Sequence, residues 1–191
     1  ENVNVVLRHR IVKAVVQIPS GRSLSLLATT SQDRLRCYLL EALSDNDEEI
    51  QIAALQGLSA IGTTEATNDI MSLAHQIDPD RNPDLYEAAI RAIASIGYNS
   101  VVKDALRSDD EIMIMIAMEA CQLMDDRAPL EEIKNLFWRV GRDLKRAAVA
   151  EVAQMGTCDD VPFFLSVIDE CNDAEALKSA LAFFGNQHAC P

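Results

Sequence analysis

The fold of this chain is decided by one stretch of sequence, Ala54-Leu55-Gln56-Gly57-Leu58-Ser59-Ala60-Ile61-Gly62. Its pattern returns as Ala89-Ile90-Arg91-Ala92-Ile93-Ala94-Ser95-Ile96-Gly97 and as Ala148-Val149-Ala150-Glu151-Val152-Ala153-Gln154-Met155-Gly156. Apolar residues three and four positions apart share one face of an α-helix. Each copy therefore predicts a helix with one buried stripe, ended by a glycine in the left-handed conformation that commonly closes helices.

Weaker copies extend this repeat in both directions. Residues 117–125 and 177–185 fit the frame, and residues 11–19 fit it as a sixth copy. The later repeats end at positions 62, 97, 125, 156 and 185, so the steps are 35, 28, 31 and 29 residues. Such a period is typical of a solenoid, in which each unit is a pair of helices. Apolar residues at helical spacing predict the partner helices at 34–43, 66–77, 101–107, 130–140 and 161–171.

Composition bounds the classes of protein that the chain can belong to. The chain has 191 residues, 49% of them apolar, and a formal net charge of −13. This apolar share supports a buried core and excludes a disordered acidic tail. The negative charge disfavours a phosphate-binding surface, which gains its affinity from lysine and arginine. Many of the acids stand at predicted helix starts, where capping and the helix dipole explain them.

Location is predicted from what the sequence lacks. The longest nearly pure apolar run, 112–118, is much shorter than the roughly 20 residues of a membrane-spanning helix. The N-terminus resembles no signal peptide and has no initiator methionine, so we expect a fragment of a longer protein. An odd number of cysteines without a CxxC pair predicts free thiols in a reducing compartment. The prediction is therefore a cytoplasmic protein.

No arrangement of residues predicts catalysis or a cofactor. The histidines His9, His75 and His188 lie far apart in the sequence, whereas zinc requires about four converging nitrogen or sulfur ligands. Hydrolase, nucleotide-binding and metalloprotease motifs are absent. We therefore predict no catalytic residue, no metal and no cofactor.

Three features leave alternatives open. The apolar helix at 112–118 is either buried between neighbours or a methionine-rich surface that adapts to a partner. Leu123 and Phe183 are candidate exposed anchors, although Phe183 alternatively covers the end of the stack. The best argument for anion binding is a basic cluster interleaved with Trp138, comprising Arg139, Arg142, Lys145 and Arg146.

Residues 49–62, 84–97 and 143–156 resemble the second helix of a HEAT repeat. They are closest to the short HEAT-like form first named for phycobilisome lyases, and the resemblance covers about residues 31–185. It implies an all-α, right-handed α-α superhelix of about five to six helical hairpins. We expect a single domain over 1–191, with N-terminal capping helices at 1–30, repeats at 31–185 and a tail at 186–191.

The resemblance also implies a class of function. HEAT-like solenoids bind partners along a concave surface that their second helices line. We therefore expect a non-catalytic protein–protein interaction scaffold, acting within a larger complex and without nucleic acid. The alternatives are a nucleic-acid-binding protein of the DNA glycosylase type and a bilin-lyase-like subunit. The predicted partner-binding residues are Gln56, Glu87, Arg91, Met115, Glu119, Lys145 and Arg146.

Overall fold

A computed structural model describes residues 28–124 and 126–186 of the chain. Within these ranges the regular structure is entirely helical, which confirms the predicted all-α helical-repeat architecture. A short 3-10 turn, Cys158–Asp160, precedes the ninth helix. The α-helices are α1 Thr29–Ala42, α2 Glu48–Ile61, α3 Thr64–Gln76, α4 Pro83–Ile96, α5 Ser100–Leu106, α6 Glu111–Leu123, α7 Leu130–Phe137, α8 Arg142–Met155, α9 Val161–Glu170 and α10 Ala174–Asn186.

The helices pack in two compact units, Glu1–Val102 and Lys103–Pro191, called here the first and second units. In the first unit α1 packs against α2, α3 packs against α4, and the second helices α2 and α4 pack against each other. In the second unit α7 packs against α8 and α9 against α10, while α8 also contacts α6 and α10. The single-domain boundaries and the handedness of the superhelix stay predictions.

The core of the first unit follows the repeated stripe. Ala54, Leu58, Ala89 and Ile93 are fully buried, as the spacing predicts. The acid-rich helix start also has its predicted role, since Asp47 accepts a hydrogen bond from the Glu49 backbone N–H.

The repeat-ending glycines have two different roles. Gly97 has the left-handed conformation, with φ of 94°. Gly62 and Gly156 have φ of −65° and −68°, so the prediction of a left-handed cap is wrong there. A Cβ atom on Gly62 would lie 2.5 Å from the Leu58 carbonyl oxygen and 2.6 Å from Ile96 Cδ1. Gly62 is therefore required by close packing and not by its backbone angles.

The core of the second unit contains both aliphatic and aromatic side chains. Ile114, Ile116 and Met118 on α6 are buried, so this apolar helix is buried on more than one side. The rings of Phe164 and Phe183 stack with centroids 4.0 Å apart. Because Phe183 is 1% exposed, it is not an exposed anchor.

The repeat frame on α10 lies one residue earlier than predicted. The buried residues are Ala176, Ala180 and Phe183, whereas Leu181 is 59% exposed. The copy at 177–185, which predicted Leu181 in the stripe, is therefore wrong by one position. The cause is the side chain of Phe183, which fills the space against Phe164.

The cysteines differ from the expectation at one position. Cys37, Cys121 and Cys171 are free thiols, but Cys158 is disulfide-bonded. The expectation of free thiols is therefore wrong for Cys158.

Some predictions lie outside the described residues. These are the sixth repeat copy at 11–19, most of the N-terminal capping helices at 1–30, His9, and the tail beyond α10 with His188. Within 28–124 and 126–186, none of the helices combines the length and apolar character that a membrane span requires.

Candidate functional site

Three of the predicted partner-binding residues meet in one groove of the first unit. Gln56 on α2 and Glu87 and Arg91 on α4 line a groove of about 390 Å³ between these helices. Its floor is apolar and its rim polar, because the helices turn their small and aliphatic side chains toward each other. We call it the α2–α4 groove, lined by Ile52, Leu55, Gln56, Ser59, Asp84, Glu87, Ala88, Arg91, Ala92 and Ser95.

The charged residues of the α2–α4 groove remain accessible. Arg91 forms an ion pair with Glu87 one turn earlier, and their side chains are 68% and 59% exposed. Ser59 and Ser95 donate hydrogen bonds to the helix carbonyls of Gln56 and Arg91. An exposed pair of this kind contributes little to folding. Its charges are therefore available to an external partner.

The predicted residues Met115 and Glu119 lie on α6 in the second unit, and both are half-buried. The exposed apolar side chains of this helix are Ile112 and Leu123, which are 46% and 56% exposed. Leu123 is therefore exposed, as one of the sequence alternatives proposed. The sequence missed Leu181 on α10 because the frame there was placed one residue late.

Arg146 has a structural role, because its guanidinium is bound to Asp173. Its Nε and Nη2 atoms donate to the two carboxylate oxygens of Asp173 at 2.8 and 2.9 Å. Asp173 also accepts from the backbone N–H groups of Glu175 and Ala176 and so caps α10. The hydrogen bonds from Arg146, and then from Ala176, lower the pKa of Asp173 to about 2. The pair joins the start of α10 to α8.

The predicted basic cluster therefore divides into two pairs. Arg139 donates to the backbone carbonyls of Leu106, Arg107 and Ser108, at the end of α5, and is committed to the fold like Arg146. Arg142 and Lys145 instead line a recess of about 500 Å³ together with Trp138. We call this the turn-edge recess, because it lies where the α7–α8 and α9–α10 turns meet, lined by Phe137, Trp138, Val140, Arg142, Lys145, Glu170, Cys171, Asn172 and Asp173.

Residues 38–121 match the family model for HEAT repeats. This segment of the chain therefore consists of HEAT-type repeats. The match runs from α1 to α6, and it does not distinguish the short form named for phycobilisome lyases. No curated protein sequence matches the chain.

One carboxylate joins the later helical repeats. Asp160 is 4% exposed and accepts hydrogen bonds from Lys134 Nζ at 2.8 Å, Arg127 Nη2 at 3.2 Å and the Thr157 backbone N–H at 2.8 Å. Burial acts to raise the pKa of Asp160, but the bonds from Lys134 and Thr157 outweigh it and leave the pKa below its usual value. Asp160 thus has a structural role.

A second buried carboxylate has no basic partner among residues 28–124 and 126–186. Glu151 on α8 is 3% exposed, and burial raises its pKa, against a smaller effect of a hydrogen bond with Gln122. Burial and then the charge of Glu151 raise the pKa of the Cys121 thiol to about 12. A thiol with this pKa is a poor nucleophile. No group of three or more potential metal ligands occurs in the part of the chain that the structure describes.

Proposed function

We propose that this chain is a non-catalytic scaffold that binds a protein partner through the exposed faces of its second helices, as part of a larger complex. HEAT repeats commonly serve as protein-interaction scaffolds. The observation that carries the proposal is the α2–α4 groove, in which Glu87 and Arg91 are ion-paired to each other and largely exposed. The fold uses neither charge to join helices, so both can pair with a partner.

The shape and chemistry of the α2–α4 groove suit a polypeptide. Leu55 and Ala92 are buried at its floor, whereas Gln56 and Ser95 are exposed along its rim. Protein interfaces combine an apolar centre with a polar edge that supplies hydrogen bonds. The Gln56 side-chain amide can both donate hydrogen bonds to a peptide and accept hydrogen bonds from it. The groove therefore favours a protein over a small anion.

The charges of the α2–α4 groove oppose the nucleic-acid alternative. Asp84 and Glu87 face Arg91 there, so acids outnumber bases in the lining. Phosphate binding requires an excess of lysine and arginine. In the second unit, Arg139 and Arg146 are bound to carbonyls and to Asp173, which leaves fewer cations for a phosphate backbone. A protein partner is the better proposal.

Site-specific photocrosslinking tests this proposal. A photoreactive amino acid replaces Gln56 in the groove, and in a matched chain it replaces Asn68, an exposed residue of α3 in the same unit. We expect discrete protein adducts at Gln56 and none at Asn68. Equal labelling of both positions, or adducts at Asn68 alone, would contradict a recognition surface on the second helices.

Charge reversal provides the second arm of the test. Arg91 is exposed and contacts Glu87 on its own helix, so Arg91→Glu should leave the fold intact while changing the rim of the groove. We expect the adduct at Gln56 to weaken severalfold in this variant. The matched control is Arg81→Glu, which changes an exposed arginine outside the groove. An adduct that responds to R81E as strongly as to R91E would point to net charge and not to the groove.

A further inference from the structure

We infer that the turn-edge recess is a second binding site, and that it takes an acidic peptide segment with an aromatic or aliphatic side chain beside a carboxylate. The recess lies in the second unit at the helix turns and includes the first turn of α8, and none of its lining residues belongs to the α2–α4 groove. Its volume of about 500 Å³ is large enough for two or three side chains.

The apolar part of the recess is aromatic. Trp138 is 44% exposed although it contacts Phe137 edge-on, with ring centroids 4.7 Å apart. Phe137 is 1% exposed and supports the indole through this contact. An exposed tryptophan on a fixed support is a typical anchor of protein interfaces. It offers a flat apolar surface to an incoming ring or aliphatic chain.

The charge that the recess offers to a ligand depends on which of its charged side chains are already paired within the fold. Asp173 receives two hydrogen bonds from Arg146 and two from backbone N–H groups, so its charge is compensated within the fold. Lys145 lies over the Phe137 ring, with Nζ 5.4 Å from the centroid, and forms no ion pair with any described residue. Arg142 is 75% exposed and reaches Asp173 only at 3.4 Å through Nε.

The available charges therefore sum to an excess of positive charge. Arg142 and Lys145 stand against Glu170, a carboxylate with no basic partner within the described residues. An anionic group bound between Arg142 and Lys145 neutralises this excess, and a planar guanidinium suits a carboxylate. The adjacent indole then binds a neighbouring apolar side chain. A basic ligand would meet two cations and one acid, so it is disfavoured.

Fluorescence provides a direct test, because Trp138 is the only tryptophan in the chain. The probes are three blocked peptides, acetyl-Gly-Glu-Phe-Glu-Gly-amide and its analogues with glutamine or lysine in place of both glutamates. We expect the acidic peptide to change the Trp138 emission saturably, with binding that weakens as salt increases. The glutamine peptide should bind more weakly, and the lysine peptide more weakly still.

Matched variants separate the recess from net charge. Arg142→Gln and Lys145→Gln should each weaken binding of the acidic peptide about three- to fivefold, the effect of one exposed charge pair. Arg81→Gln removes an exposed arginine from the first unit and should change nothing. Cys171 lines the recess, so bound peptide should also slow its alkylation.

The same measurements can overturn the inference. It fails if the acidic peptide gives no saturable signal and no protection of Cys171, if the lysine peptide binds as tightly, or if R142Q and K145Q bind like the unaltered chain. A positive result here with no adduct at Gln56 would support the recess and refute the α2–α4 groove. The reverse result would do the opposite, so the two sites are tested independently.

Discussion

The two units build the same kind of helical repeat from different side chains. All five phenylalanines and the single tryptophan lie in the second unit, whereas the three tyrosines lie in the first. Fully buried positions of α2 and α4 are alanine, leucine and isoleucine. In the second unit, Phe164 contacts the rings of Phe163, Phe183 and Phe184. Small residues allow close helix contact, whereas rings fill a wider space.

The two units also differ in which residues their ion pairs join. The first unit has pairs within one helix or turn, as in Arg36–Asp33, Arg81–Asp78 and Arg91–Glu87. The second unit has such local pairs too, but it also has pairs between residues far apart in the sequence that join separate helices or turns, namely Arg107–Glu132, Lys134–Asp160 and Arg146–Asp173. The pairs that join separate helices or turns and include a nearly buried carboxylate, such as Lys134–Asp160, are therefore found in the second unit. The HEAT match covers residues 38–121, which end near the start of the second unit.

The largest effect is expected from a substitution that removes an aromatic contact of the second unit. Phe164→Ala deletes a fully buried ring that stacks on Phe183, and we expect a loss of about 3–5 kcal/mol in the free energy of unfolding. Denaturant unfolding measures the loss, and hydrogen exchange should rise mainly in residues 126–186.

The adjacent residue supplies the control. Leu165 is 51% exposed on the same helix, so Leu165→Ala should change stability by no more than about 0.5 kcal/mol. If F164A and L165A cost the same, the aromatic cluster does not stabilise the second unit and the contrast between the units fails.

The next prediction compares the two kinds of ion pair. Asp160→Asn removes a buried charge and leaves Lys134, with a side chain 15% exposed, without its main partner. We expect a cost of about 3 kcal/mol. Asp78→Asn removes an exposed pair of the first unit, and its cost should be below about 1 kcal/mol.

The pH dependence of D160N sharpens this comparison. The pKa of Asp160 is lower in the fold than its usual value, so its contribution is present above that usual value. The contribution is lost as the pH falls through the folded pKa. Thermal unfolding should therefore show a large difference between D160N and the unaltered chain at neutral pH and a smaller one in strong acid. A difference that stays constant with pH would exclude the charge as its cause.

Much of the fold could be predicted because it depends on local spacing. The stripe through Ala54 and Leu58, and the cap by Asp47, follow from residues within one helix. The frame of α10 could not be predicted in this way. The sets Ala176–Ala180–Phe183 and Leu177–Leu181–Phe184 both have helical spacing, and the choice between them depends on a contact with Phe164.

The candidate sites were less predictable than the fold, because they depend on contacts between residues far apart in the sequence. Gln56, Glu87 and Arg91 meet because equivalent positions of adjacent repeats lie side by side. Four neighbouring cations, by contrast, suggested one anion site around Trp138. The separation of Arg146 from Lys145 depends on Asp173, which is 27 positions away from Arg146 and is placed beside it only by the fold. Sequence spacing carries no information about such a pairing.

The smallest expected effect concerns one position at which the repeats differ. Glu151 occupies the frame position held by Gly57, Ala92 and Ala120 in the other repeats. It is buried there, and none of the lysines and arginines that the structure describes pairs with it. Because burial raises its pKa, the folded state favours the protonated carboxyl. Its contribution to stability is therefore full below its usual pKa and is lost as the pH rises through the folded value.

Glu151→Gln should consequently stabilise the chain near neutral pH, by on the order of 1 kcal/mol, since the amide keeps the bond to Gln122 without a buried charge. Melting temperatures measured across acidic to neutral pH should show this gain fading toward acid, where the native carboxyl is already protonated. Glu49→Gln is the matched control, because Glu49 is exposed in the first turn of α2 and its charge favours the helix dipole. It should be neutral or slightly destabilising. If E151Q lowered the melting temperature at neutral pH, the ionised carboxylate would be stabilising, and the second unit would use this buried charge as it uses Asp160.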